Sequence, residues 1–361
     1  MTLSIRPPEA CELDLLSLGE CMIRLSPPAH QRIEFANQLE VWVGGGEYNV
    51  AYALSRFGLV TGWISRLVHN PLGHLIRNHA RAAGMGVDDV QWTDYDGSGR
   101  ADRIGLNFTE VGIGLRPSVT MYDRGHTAVS HMQPGEIDWD GIFSKRGVRW
   151  FHTGGIFTAL SKGTAAVAKE ALQAAHAAGT VVSYDLNFRS KLWKSERAIE
   201  VTRELVPYID VLIGNEEDFQ KVLGFEVEGT DKNLTRLPVE SYQAMVRRVV
   251  ETYPNIQIVG TTLREVVSGL INNWSAIVYH EGAFHASRRF EGLEIEDRVG
   301  GGDGFCSGMV YGLLKGLSMQ ECVEFGAAHG ALLQSTRGDA SMITLGEVEH
   351  VVAGGSARIK R

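Results

Sequence analysis

Short apolar runs recur along this 361-residue chain: Leu13–Leu18, Val148–His152, Val181–Tyr184, Val211–Ile213 and Ile256–Val259. A continuous apolar run, unlike an alternating one, suits a strand covered on both faces. Helical patterns separate most of these runs. Pro71–Ala83 brings Leu72, Leu75, Ile76 and His79 to one face and stops at Gly84, and the Ala-rich stretch Lys162–Ala178 stops at Gly179. Strands alternating with helices predict an α/β chain with a mostly parallel central sheet flanked by helices.

Two segments break the rhythm. Met22–Val43 and Arg103–His131 alternate like strands, for example at Ile104, Leu106 and Phe108 and again at Val119 and Met121, with Gly and Pro punctuation and no good helix. Inserted strands predict a small separate sheet. It is expected to act as a lid over the carboxyl ends of the main strands, where α/β folds bind ligands; an ordinary peripheral hairpin is the alternative. No repeat or low-complexity tract divides the chain, so residues 1–361 are read as a single domain. A chain of this length buries roughly 75% of its unfolded surface and needs no disulfide staples.

Composition narrows the chemistry. The balance of 43 acidic against 35 basic residues disfavours nucleic acid as a partner. The four cysteines (Cys11, Cys21, Cys306 and Cys322) show no CxxC and no metal-ligand spacing, which fits reduced thiols in a cytoplasmic protein. No signal peptide and no membrane span are expected.

Residues 297–308 carry the sharpest candidate chemistry: Asp-Arg-Val-Gly-Gly-Gly-Asp-Gly-Phe-Cys-Ser-Gly, running into a helix to about Leu314. The glycines Gly300, Gly301 and Gly302 place backbone N–H groups at a helix start, a ready anion hole. Asp303 sits at the same start, and its carboxylate is expected to be ionised at neutral pH. An ionised carboxylate beside an anion hole suits phosphoryl transfer, the carboxylate taking the proton of the attacking hydroxyl. The same residues also suit an ordinary turn with an N-cap. No Gly-Lys-Ser/Thr follows, so this is not a P-loop, and its C-terminal place speaks against a dinucleotide fingerprint. Gly304, Gly308, Gly312 and Gly316 recur every four residues and predict a face packed closely on a neighbour. Near the start, Gly44-Gly45-Gly46-Glu47-Tyr48-Asn49 precedes a helix reaching Phe57. This stretch is either a close approach to a ligand or a plain helix entry.

The pair of motifs, in this order, resembles the PfkB (ribokinase-like) carbohydrate kinases, with their GGxxxN element early and DxxGAGD element late. Here these are Gly44-Gly45…Asn49 and Asp297…Gly300-Gly301-Gly302-Asp303. The resemblance runs from about Leu13 to Leu345. Within the family the chain is most similar to the 2-keto-3-deoxygluconate kinases. The matching stretches are Leu18-Gly19-Glu20, Tyr122-Asp123-Arg124 with Ala128, Asn187-Phe188-Arg189 with Leu192-Trp193, and Arg337-Gly338-Asp339 before Thr344.

The resemblance implies ATP-dependent phosphorylation of the primary hydroxyl of a small sugar acid. In that reading Asp303 is the base, and Gly45, Asn49, Asn107, Tyr122, Arg124 and Arg189 bind the substrate. Asn215, Arg264, Gly338 and Asp339 lie on the ATP side, Asp218 reaches Mg²⁺ through water, and a monovalent cation sits near Asp297. Separately, a lid sheet leaves an edge and an apolar face to cover, so a homodimer through the lid is expected. An acidic substrate has independent physical support, because the planar fork of Arg matches a carboxylate. The chain departs from the family pattern at Gly301 (usually Ala), at Arg298 and Val299 (usually small), and at Asn107, where the keto-deoxy kinases often carry Tyr. It departs again at Asp218, which ends an N-x-x-E element, and at Arg264, which replaces a Gly. A kinase of a neutral sugar and a non-catalytic sugar-binding regulator remain the rival readings.

Overall fold

The central strand β1 (Leu13–Leu18) has parallel neighbours on both sides, β4 (Thr61–Val68) and β8 (Val148–Gly154), which is why its sequence is an apolar run. A computed structural model describes residues 3–225 and 239–355. Outward from β8 the parallel order continues through β9 (Val181–Asp185), β10 (Val211–Ile213) and β11 (Ile258–Val266). β5 (Val90–Thr93) extends the other side beyond β4. The far edge turns antiparallel: β12 (Ile271–His280) pairs β11, and both β13 (Ala283–Ala286) and β14 (Phe290–Glu294) pair β12. The expected run at Ile256–Val259 therefore begins two residues later and continues to Val266, into half-exposed positions that no apolar run marks.

A separate four-stranded sheet is built from the two interrupting segments. Its order is β3 (Glu40–Gly44), β2 (Met22–Ser26), β6 (Leu106–Glu110) and β7 (Val119–Asp123). Its two faces follow the strand period of two. Asn107, Thr109, Thr120 and Tyr122 line one side of a large cavity. In the opposite register, Val41, Leu25, Phe108 and Met121 form a row across all four strands. Val41 and Met121 in this row are exposed.

Helices start where the sequence supplies caps. Asn70 accepts from Gly73 N at 2.9 Å ahead of Pro71–Ala82, and Ser161 and Thr164 form a capping box ahead of Lys162–Ala177. The glycine stripe on the helix Gly301–Leu314 meets the neighbouring helix Met319–Leu333. A Cβ at Gly308 would stand 2.6 Å from Phe325 O, and one at Gly304 would stand 3.0 Å from Gly330 Cα. Gly316 is not part of this contact: it lies beyond the helix at φ +73°, where it ends the element in a left-handed conformation. Among the described residues no helix is long and apolar enough to cross a membrane.

Candidate active site

The carboxyl ends of β8, β9 and β10 open on a cavity of about 620 Å³ between the central sheet and the small sheet. The first turn of the Gly301–Leu314 helix forms part of its wall. Gly300 precedes that helix at φ +87°, and a Cβ there would stand 2.7 Å from Asp339 O, so only glycine fits. Gly304 N is bonded to Gly300 O at 2.8 Å, which leaves the amides of Gly301, Gly302 and Asp303 without helix partners. No side chain caps them. A Cβ at Gly302 would meet nothing within 4 Å, so this turn stands open to the cavity. The donor set fits a phosphate group.

Asp303 is half-buried at the head of this turn and accepts from Asn49 Nδ2 at 2.7 Å. Asn49 is held in turn by Gly45 N, which donates to its Oδ1 at 3.3 Å. The expectation of a fully ionised carboxylate needs correction. Burial pushes the Asp303 pKa up to about 7; the Asn49 hydrogen bond and Arg189 oppose the rise, while Glu47 and Asp339 add to it. Desolvation is the main cause, and the charges of the neighbouring acids Glu47 and Asp339 add to it. Glu47, in the first turn of the Gly46–Arg56 helix, is buried and raised to about 7 by burial, and burial lifts Asp185 well above the carboxylate range. Neither acid figured in the sequence-based set. The only sequence cue to Glu47 was its place inside the glycine-rich entry.

The two arginines expected at the substrate are not equivalent. Arg124 lines the cavity but is ion-paired with the buried Glu20, and its guanidinium lies 5.2 Å from the Tyr122 ring centroid. Arg189 also lines the cavity and is exposed; it donates to Phe188 O at 3.0 Å and forms no ion pair among the described residues. Asn107 faces the cavity from β6 beside Thr109, which donates to it at 3.3 Å.

Among the residues expected on the ATP side, Asn215 and Asp218 form a reciprocal capping box, with Asn215 N to Asp218 Oδ2 and Asp218 N to Asn215 Oδ1 both at 2.9 Å. The other Asp218 oxygen accepts from Phe188 N at 2.8 Å. Glu217, exposed at the rim, is the freer carboxylate here and was not anticipated. Arg264 and Arg298 both line the cavity, and Arg298 is fixed to the carbonyls of Ser268 and Gly269. Gly338 does not line it. Its amide donates to Asp297, and a Cβ there would strike the Trp42 ring at 2.7 Å, so its task is to let the chain pass beneath the small sheet. Asp339 reaches the cavity floor but is bound to Arg24, as is Asp297. Among the described residues no three His, Cys, Asp or Glu side chains gather as a metal cluster.

Comparison with known proteins agrees with this geometry. A 2-dehydro-3-deoxygalactonokinase of Haloferax volcanii is 34% identical over 348 residues, covering 96% of this chain and 99% of that protein. A 5-dehydro-2-deoxygluconokinase of Geobacillus kaustophilus is 28% identical and covers 94% and 93%. The crystal structure of a 2-dehydro-3-deoxygluconokinase from Thermotoga maritima superposes with a TM-score of 0.88 at 39% identity, over 95% of this chain and 100% of that one. The sequence pattern of the pfkB family carbohydrate kinases matches residues 12–254 and 273–344, and the chain belongs to that family.

Proposed function

We propose that the chain transfers the γ-phosphoryl group of ATP to the primary hydroxyl of a small sugar acid, a 2-keto-3-deoxy acid such as 2-keto-3-deoxygluconate. The observation that carries this reading is Asp303, held by Asn49 at 2.7 Å at the mouth of an uncapped helix start, with the unpaired Arg189 facing the same cavity. Asp303 takes the hydroxyl proton as the oxygen attacks. A pKa near 7 suits that task, because a base works best when matched to the ambient pH. The amides of Gly301 and Gly302 receive the negative charge spread over the transferring phosphoryl oxygens. Arg189 binds the substrate carboxylate and turns the far end of the sugar toward Asp303. Asn107, Thr109 and Tyr122 cover the sugar from the small sheet, which acts as the lid.

Arg264 and Arg298 supply positive charge on the nucleotide side. Mg²⁺, when bound, neutralises charge on the ATP phosphates. Glu217 would hold it, and Asp218, its oxygens engaged by backbone amides, would reach it through water. The relatives named above all act on keto-deoxy acids or their isomers, which supports the acidic substrate. One observation favours a neutral sugar: Arg124 is already neutralised by Glu20, so of the two arginines expected at the substrate only Arg189 remains for an acid.

A coupled ATP-consumption assay across keto-deoxy acids and neutral hexoses and pentoses decides between them. The acid reading expects kcat/KM highest for a 2-keto-3-deoxy acid; fastest turnover of fructose or ribose would overturn it. The apolar row Val41–Leu25–Phe108–Met121, exposed at Val41 and Met121, supports a dimer through the lids of a cytoplasmic enzyme. Met121→Asp is expected to halve the mass seen by sedimentation, and an unchanged mass would refute this interface.

A further inference from the structure

Arg24 lies on β2 at 1% exposure, shielded from bulk solvent. Its side chain leaves the small sheet and ends between two acids from distant parts of the chain. One terminal nitrogen binds Asp297, which opens the turn into Gly300–Gly302, and the other binds Asp339. Nε donates to Ser26 Oγ at 3.1 Å. Asp297 is largely engaged and its charge is paired: its Oδ2 accepts from Arg24 and from Gly338 N at 3.3 Å, and its Oδ1 accepts from Val299 N at 3.2 Å. The surroundings of Asp297 therefore do not fit the monovalent cation that the family resemblance implied there. The charge such an ion would supply is already present on a guanidinium. Both acids brace the phosphate-binding turn. Asp297 precedes it by three residues, and the carbonyl of Asp339 closes on the face of Gly300 where a Cβ would stand 2.7 Å away.

We propose that Arg24 is the built-in counter-cation of the phosphate-binding turn, so that turnover requires no monovalent metal ion, and that it ties the small sheet to the turn. Arg suits the position because its guanidinium is weakly hydrated, permanently charged and able to bridge two carboxylates. Removing it leaves two buried acids facing each other over a cavity. A weakly hydrated cation such as potassium then becomes the natural replacement.

This inference rests on the turn binding phosphate, as in the reading above, and the test separates the two. Sugar-kinase activity and affinity for a non-hydrolysable ATP analogue are measured in potassium chloride and in tetramethylammonium chloride at equal ionic strength. For the wild-type protein, both quantities are expected to agree within a factor of about two between the salts, since screening is the same. Arg24→Ala in tetramethylammonium chloride should lose about 10²-fold in kcat/KM, the scale of deleting one partner of a buried charge pair. Potassium should restore about tenfold or more of this, along with analogue affinity, by mass action on the emptied site. Should Arg24→Ala fail to fold, Arg24→Lys serves: a point charge that cannot span both acids should bind the analogue more weakly and gain in potassium. Wild-type activity or affinity that rises with potassium overturns the proposal, as does an Arg24 variant that matches wild type in both salts. Absence of kinase activity on every sugar would count against the functional reading alone, because analogue binding still reports on Arg24.

Discussion

Asn49→Ala is expected to slow catalysis in a pH-dependent way, and the size of the effect follows from the geometry. Asn49 Nδ2 donates to Asp303 Oδ2 at 2.7 Å and lowers a pKa that burial has raised to about 7. A hydrogen bond to a charged group contributes about 1.5–3 kcal/mol. Asp303 is only half-buried, so water recovers part of that, leaving about 1.4 kcal/mol, or one pKa unit. The sign is upward, since the lost donor favoured the ionised form. The base acts only when ionised, so activity is gained as pH rises through this pKa. The acid limb of kcat/KM for the sugar is therefore expected near pH 7 in wild type, and roughly one unit higher in the variant. At neutral pH the ionised fraction falls from about one half to about one tenth, a loss of about fivefold that should vanish at the alkaline plateau. Initial rates at saturating MgATP across the pH range measure both limbs. A loss of equal size at every pH, or a limb that moves down, would refute the role given to Asn49. A wild-type limb at the ordinary carboxylate range would refute the raised pKa itself.

Asp303→Asn should reduce kcat by about 10²–10⁴-fold, while calorimetry shows ATP-analogue binding largely retained; near-normal turnover would remove Asp303 from the role of base. Arg189→Ala should raise KM for a sugar acid by more than about tenfold and change KM for ATP little. Arg124→Ala also strands the buried Glu20, so it should lower stability as well as acid binding; equal losses on acidic and neutral sugars in both variants would return the arginines to a structural role. Gly308→Ala forces a methyl to within 2.6 Å of Phe325 O across the helix pair. It should cost about 1–3 kcal/mol in chemical denaturation, and an unchanged midpoint would show that the interface yields.

Much of this protein is a local property of its chain. The boundaries of β1 and β10 coincide with their apolar runs, because a strand covered on both faces has no polar side to show. The helix after Gly300 ends at Leu314, as its pattern indicates. The segments that interrupt the α/β rhythm are the ones that form the second sheet. The family motifs were likewise readable, because the left-handed Gly300 and the helix start that follows it are set within a few residues. What the tertiary structure alone decided lies between residues far apart in sequence. β4 reads weakly on its own, with Gly62, Ser65 and Arg66 scattered among its apolar positions, and it becomes a core strand only through pairing with β1. Whether an arginine meets a substrate or a carboxylate of its own chain depends on which crossover places Glu20 beside Arg124, at a separation of 104 residues. Arg24 meets acids 273 and 315 residues away, and nothing in the alternation of β2 names them. The ionisation of Asp303 is equally non-local. Its helix start favours the charged form, but burial by elements far apart in sequence, with the charges of Glu47 and Asp339 adding to it, reverses that preference. Periodicity along a chain records which side of an element is buried. It carries no record of what stands on the other side, and there the charges of this site are balanced.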